Sequence, residues 1–289
     1  MLLRTIASLL GTLTIVSLAF GGPRQSSDAY LLGKQGVDDY QHRNAPLKTL
    51  YEAIDHLNTA ITANELNADA YTQRGRAFRL LKEFDGAVED LRWAVHLAPS
   101  SEAAHYELGA AYQRWFDAIC GEVRSGQRRD YAIRENAKLL VMANAEFSEA
   151  IRINPKNQRA WCMRGIGLLY VSRFDEAIQD FNRAIQIDAR YADAYGHRAI
   201  AKIDQWRDGA ADLERAIQLD PSSRAYFEYQ RREAISFRQW KQAQEQTWAE
   251  LQAFVNRAFS TYQPQESYTD EVCSKCGRWY RRAVGCSHN

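Results

Sequence analysis

The sequence of 289 residues predicts an all-α protein, a stack of helix-turn-helix repeats closed by a C-terminal helical cap. Three observations carry that prediction. A residue pattern returns at a spacing of 34, apolar and small residues recur three and four apart, and the chain holds only 6 prolines and 16 glycines. Repeat periods of this size mark arrays of supersecondary units. Three-and-four spacing lays one apolar stripe along a helix, and a scarcity of breakers leaves room for long helical runs. With 46% hydrophobic and 25% charged residues the composition is that of an ordinary soluble protein. Lys and Arg number 37 against 36 Asp and Glu, so no global field points to nucleic acid or an anionic membrane surface, and a nucleic-acid partner is not expected.

Residues 1–22, MLLRTIASLLGTLTIVSLAFGG, have Arg4 as their one charge, an apolar run from Thr5 to Phe20 and small residues at the end. This is the layout of an export signal cleaved between about Ala19 and Gly22. The run is short of the roughly 20 apolar residues of a spanning helix, yet a retained membrane anchor and a buried N-terminal helix stand as alternatives. The protein is therefore expected to be exported (periplasmic, secreted or lumenal), or membrane-anchored if the segment is retained. Residues 23–33 read as a linker.

The repeats occupy 34–221. Tyr71-x2-Arg74-Gly75-x2-Phe78, followed by Ala87-x3-Leu91-x2-Ala94-x4-Pro99, returns as His105-x2-Leu108-Gly109-x2-Tyr112 with Ala143-x3-Phe147-x2-Ala150-x4-Pro155. It returns again as Trp161-x2-Arg164-Gly165-x2-Leu168 with Ala177-x3-Phe181-x2-Ala184, and as Tyr195-x2-Arg198-Ala199 with Gly209-x3-Leu213-x2-Ala216-x4-Pro221. Ala53-x3-Leu57-x2-Ala60 supplies half of a degenerate first copy. The units are 34–67, 68–101, 102–157, 158–189 and 190–223. Ala94 and Ala150 are 56 apart, which exceeds the 34-residue spacing by 22 and places an insertion between Tyr112 and Ala143. The insertion reads as a hairpin lengthened about equally on both arms. Its basic tip, with Arg124, Arg128 and Arg129, is either a solvated turn or a docking element for an acidic partner. Within each unit, Gly75, Gly109 and Gly165 let two helices approach closely, and Pro99, Pro155 and Pro221 stop the second helix.

These residues resemble the tetratricopeptide repeat, W-x2-L-G-x2-Y followed by A-x3-F and a closing Pro. The resemblance implies a right-handed superhelical solenoid whose concave surface is lined by the first helix of each unit. It also implies a non-enzymatic scaffold that binds a partner peptide or helix in that groove. The implied lining includes Arg76, Tyr106, Glu107, Arg159, Met163, Ile166 and His197, with Tyr106, Arg159 and Met163 as anchors. Family members that capture acidic chaperone tails carry a basic clamp. At the matching places here stand Thr72, Arg76, Glu107, Arg159 and Met163, so that clamp is not expected.

Residues 224–263 keep a helical pattern, with Trp248, Leu251, Val255 and Ala258 on one stripe, and read as the cap over the last apolar face. Their aromatic surplus has a second reading, a binding surface. The tail, 264–289, is basic and cysteine-rich. Cys273, Cys276, Cys286 and His288 have spacing that suits a zinc site, disulfides in an oxidising compartment or free thiols. A zinc-binding or redox-active tail is thus the alternative function. Cys120 and Cys162 read as small buried or groove residues, and outside the tail no cofactor is expected. No nucleophile elbow, phosphate loop or metalloprotease motif occurs, and an enzyme is not expected.

Overall fold

A computed structural model describes residues 23–43, 45–121, 127–205, 207–243 and 245–261, and these are helical throughout apart from short turns. The N-terminal segment, Arg124 and the tail residues Cys273, Cys276, Cys286 and His288 lie outside the described residues, as do the side chains of Arg128 and Arg129. The chain divides into two compact units between Pro99 and Ser100.

The first unit holds α1 (Pro23–Arg43), α2 (Leu47–Ala63), α3 (Ala68–Leu80) and α4 (Phe84–Leu97). Helices α1 and α2 pair, α3 and α4 pair, and α3 also packs on α2. Residues 23–33, read from sequence as a linker, are instead the first half of α1. Pro23 opens the helix, a position where its missing N–H costs nothing. Gly33 lies so close to α2 that a Cβ would meet the Leu57 side chain at 2.5 Å. The first hairpin is therefore complete and starts eleven residues before Lys34.

The second unit holds α5 (Glu102–Gly121), α6 (Gln127–Ile153), α7 (Gln158–Tyr170), α8 (Phe174–Ile187), α9 (Ala192–Asp204), α10 (Ala210–Leu219), α11 (Arg224–Ala243) and α12 (Glu245–Thr261). Consecutive helices pair as hairpins from α5 to α10, and the first helices α5, α7 and α9 are neighbours in that order. The insertion is unequal. Helix α5 has 20 residues and α6 has 27, against 13 and 14 in α7 and α8, so most of the added length went to the second arm.

Local chemistry sets the ends of these helices. Asn67 and Asn157 cap α3 and α7 by accepting the Ala70 and Ala160 N–H, each at 3.0 Å, and Ser101 accepts from Ala104 at 3.3 Å. Lys82 (φ 63°) and Ser172 (φ 58°) turn the chain between paired helices, in the left-handed conformation that ends many helices. The following N–H reaches back to close each turn, Glu83 to Phe78 O at 2.9 Å and Arg173 to Leu168 O at 3.0 Å.

One polar device recurs inside this apolar stack. Arg74 of α3 grips Asp90 of α4 with Nε and Nη2, both at 2.7 Å, while its Nη1 reaches Asn58 of the preceding hairpin at 2.7 Å. Arg164 does the same with Asp180 (2.8 and 2.7 Å) and Ser148 (3.1 Å). Arg198 repeats it with Asp212 (2.9 and 2.5 Å) and Asn182 (2.6 Å). Each guanidinium lies against the aromatic ring three residues earlier, at 5.4 Å from Tyr71, 4.9 Å from Trp161 and 5.3 Å from Tyr195. Burial pushes the Asp90 and Asp180 carboxyls up against the pull of their arginines. Burial alone would also raise Asp212, but bonds from Arg198 and Lys202 hold it below the usual carboxylate range.

The lengthened hairpin breaks the rule in a compensated way. Leu108 stands where the arginine would be, and His105 stands where the aromatic would be. His105 Nδ1 meets Glu146 Oε2 at 2.7 Å, both residues being buried. Glu146 occupies the place of Asp90, Asp180 and Asp212, so the acid keeps a partner although the partner has moved along the helix.

The C-terminal helices divide the work expected of a cap. Helix α11 packs on α9, burying Phe227 in a cluster with Ala199, Leu213 and Ala216. Helix α12 does not cover that end. It packs on α6, and its buried Leu251 and Val255 join Phe116 and Cys120 of α5, Leu140 of α6 and Val171 beyond α7. Gln252 Nε2 donates to Val171 O at 2.9 Å, and the Arg173 guanidinium lies 5.3 Å from the Phe259 ring centre. The stripe read from sequence is thus correct at Leu251 and Val255, but the surface it covers is the lengthened hairpin.

Truncating one partner of a buried ion pair leaves the other charge uncompensated, at a cost of about 3–5 kcal/mol. Arg164→Ala is expected to destabilise the second unit by that amount in urea titration. Adding Asp180→Asn is expected to restore part of the loss, and a loss under about 1 kcal/mol in the single variant would contradict the clamp.

Candidate functional site

The first helices α5, α7 and α9 of the second unit, with α11 beside α9, carry the residues expected to line a binding face. Of the seven lining residues expected from sequence, Arg76 belongs to the first unit and the other six to the second. Arg76 of α3 ties two helices together, bonding Gln41 Oε1 at 2.7 and 2.9 Å and Asp38 Oδ1 at 2.8 Å, both on α1.

In the second unit, Tyr106 is buried with its ring 5.9 Å from that of Phe147. Its anchor role changes accordingly, because it is a platform from which Arg159 projects. The exposed Arg159 of α7 holds its guanidinium 4.9 Å from the Tyr106 ring centre. Burial lowers the Arg159 affinity for its proton, but Tyr106, Glu107 and Tyr191 outweigh it and the net shift is upward. Glu107 is buried beside them on α5. Met163 is half-buried, and the half-buried Ile166 packs against the cluster of Cys162, Leu168 and Phe181. Burial pushes the Cys162 thiol far up, which disfavours the thiolate that nucleophilic attack or metal binding requires. Among the described residues, no group of three or more His, Cys, Asp and Glu could hold a metal ion.

His197 sits inside an aromatic cage. Its ring stacks 6.1 Å from Phe181 and lies edge-on to Phe227 at 5.6 Å and Tyr226 at 6.0 Å. Desolvation, helped by the Arg114 charge, pushes its pKa down to about 4.

Sequence reasoning passed over Arg114, Asp117 and Tyr191. Arg114 Nη1 meets Asp117 Oδ2 at 3.4 Å, and Asp117 Oδ1 accepts the Tyr170 hydroxyl at 2.7 Å. Burial raises the Asp117 carboxyl against these bonds. Desolvation and the charge of Asp220 raise exposed Asp193 on α9, while Arg114 and Arg159 draw it down. Arg114 and Asp117 follow Glu107 by seven and ten residues, two and three turns along one face. The signal existed, but it becomes visible only when α5 is known to continue past the usual hairpin length. The result is a strip of exposed Arg114, Arg159 and Asp193 over a buried aromatic floor.

The cage makes a pH prediction. The folded His197 titrates near 4 and the unfolded one near 6.5, so both are neutral above pH 6.5 and the stability is whole there. Between 6.5 and 4 only the unfolded chain takes the proton, and on the order of 3 kcal/mol is lost as pH falls. The raised carboxyls of Asp90 and Asp180 act oppositely, so the measurement is a difference. His197→Gln is expected to flatten the loss between pH 7 and 4.5 relative to the parent chain, and parallel urea-stability profiles would contradict the cage.

Residues 75–114 match the family model of the TPR repeat. The human protein O-mannosyl-transferase TMTC3 is 23% identical over 212 residues, covering 62% of this chain and 23% of the relative. The Hsp70-Hsp90 organizing protein of Triticum aestivum is 23% identical over 192 residues, covering 61% of this chain and 33% of the relative. The chain spans between 15% and 34% of the length of the first curated relatives it matches. Among solved structures, TTC0263, a thermophilic TPR protein in Thermus thermophilus, superposes with a TM-score of 0.54 at 17% identity, covering 73% of this chain and 98% of that one. A repeat match inside these hairpins and a TPR protein with the same fold make this chain similar to tetratricopeptide-repeat proteins.

Proposed function

We propose that the protein is a non-enzymatic interaction scaffold that holds a partner peptide or helix along the first-helix face of its second unit. The observation that carries this reading is the strip of Arg114, Arg159 and Asp193, which places exposed charges of both signs on successive helices above buried Tyr106 and caged His197. Rigid elements hold these groups before any partner arrives, which lowers the ordering cost of binding. Mixed charges over an aromatic floor suit a segment held by a few anchors. The name of the Hsp70-Hsp90 organizing protein describes assembly of other proteins, and the similarity to it supports a protein partner. The transferase name belongs to a protein of which this chain spans 23%, and no catalytic motif in the sequence supports the same chemistry.

Affinity capture with the parent chain and with Arg114→Glu/Arg159→Glu tests the face. Both residues are exposed, so the chain is expected to stay folded, as far-UV circular dichroism would check, while capture of the specific partner falls at least tenfold. Undiminished capture would sink the reading.

The same proposal includes an exported or membrane-anchored location, supported by the apolar segment from Thr5 to Phe20 behind Arg4. Among the described residues no helix is long and apolar enough to cross a membrane, so the location rests on that segment. A reporter fused after Gln25 is expected to leave the cytosol or sediment with membranes. Soluble cytosolic reporter would overturn it.

A further inference from the structure

Helix α12 covers an apolar patch that its own unit holds in place without it. In that patch the Phe116 ring of α5 meets Tyr170 of α7 edge-on at 5.1 Å, and the Tyr170 hydroxyl donates to Asp117 Oδ1 at 2.7 Å. Cys120 of α5, Leu140 of α6 and Val171 complete it. None of these ties runs through α12, because α5 pairs with α6 and α7 packs on α6. The lengthened hairpin and α7 therefore hold the patch preformed.

The hold of α12 on the patch is light by comparison. It packs mainly on α6 and touches α11 little, and of its described side chains only Leu251 and Val255 are buried. Two further ties fix its position. Gln252 Nε2 donates to Val171 O at 2.9 Å, and the Phe259 ring centre lies 5.3 Å from the Arg173 guanidinium. Both hosts are provided for without α12. Arg173 already grips Glu176 with Nε and Nη2, each at 2.6 Å, and a carbonyl at the end of a helix can accept from water instead.

We propose that α12 is a displaceable latch on a helix-receiving site, and that a helix of a partner protein with the register of Leu251 to Phe259, Leu-Gln-x2-Val-x3-Phe, takes its place. The seat of α12 defines that chemistry. It needs aliphatic side chains four apart over Phe116, Cys120, Leu140 and Val171, an amide next to the first of them for the Val171 carbonyl, and an aromatic ring for Arg173. An apolar patch of this kind is a recognition surface when bared, so the incoming helix covers what α12 uncovers. The latch also sets a threshold, because the apparent affinity of an incoming helix scales with the fraction of chains in which α12 is open. The site shares no residue with the strip of Arg114, Arg159 and Asp193, so the two surfaces stand or fall separately.

A fluorescein-labelled peptide with the sequence of residues 245–261 is the probe, added to the full-length chain and read by anisotropy. Leu251→Ser/Val255→Ser in the chain opens the latch, and this opened chain is expected to bind the peptide saturably and at least tenfold more tightly than the parent does. The peptide carrying Leu251→Ser/Val255→Ser is expected to bind neither chain. Gln252→Ala/Phe259→Ala, which keeps both aliphatic anchors in the chain, is expected to fall between the two. It takes the place of the opened chain if far-UV circular dichroism shows that the double serine variant has lost more helix than α12. Absence of saturable binding to the opened chain, equal binding to opened and parent chains, or equal binding of the serine peptide would overturn the latch. Loss of binding when Arg159→Glu is added to the opened chain would move the peptide to the first-helix strip and overturn it too. A dimer of the parent chain by light scattering that Leu251→Ser/Val255→Ser dissolves would give the site to a second copy and overturn the partner helix equally.

Discussion

The stack depends on an arginine that holds three helices at once. In the hairpins where it occurs, two of its nitrogens fix the tilt of the first helix against its own second helix, and a third fixes the hairpin against the one before. Apolar contact brings helices together without choosing a rotation, because dispersion and area burial are nearly indifferent to small slides. A bidentate fork chooses one geometry. The cost is the desolvation of a carboxylate, visible in the upward pull on Asp90 and Asp180. The aromatic ring against each guanidinium shields the pair from competing water on one side and returns part of that cost.

Where the arginine is absent, the hairpin differs in other respects. The unit with Leu108 is the one with the insertion, and it is also the one on which α12 lies. Its lengthened arms present Phe116, Cys120 and Leu140 beyond the reach of a standard hairpin, and Leu251 and Val255 find their burial there. Fully burying two such side chains is worth about 1.5–3 kcal/mol each. Insertion and C-terminal helix are thus two parts of one structural element separated by more than a hundred residues of chain.

Much of this was legible in the sequence, and the failures have physical causes. The helical class, the pairing of helices and the closing prolines followed from period and spacing. The arginines were visible as recurrent residues, but their acids sit 14 to 16 positions downstream on another helix and emerge only in three dimensions. The first hairpin was cut short because Leu32 stands where Arg74, Arg164 and Arg198 stand in later copies, which hid the motif around Gly33. For the site, Arg159, read as a groove anchor, is an exposed residue of α7. The burial of Tyr106 was not legible, because an aromatic residue on a groove-facing turn reads the same in sequence whether a neighbour covers it or not. The stripe on α12 announced that something would be buried and was silent about against what.

The enclosed thiol of Cys162 has a use that comes from its inertness. It lies on α7 between the hairpin of the insertion and the one ending at α10, and burial holds it protonated. In the closed stack an alkylating reagent finds neither access nor thiolate, so modification at this position proceeds only through molecules in which α7 has lifted away from its neighbours. The Cys162 peptide, followed by mass in native buffer, is thus a clock for the breathing of the central hairpins.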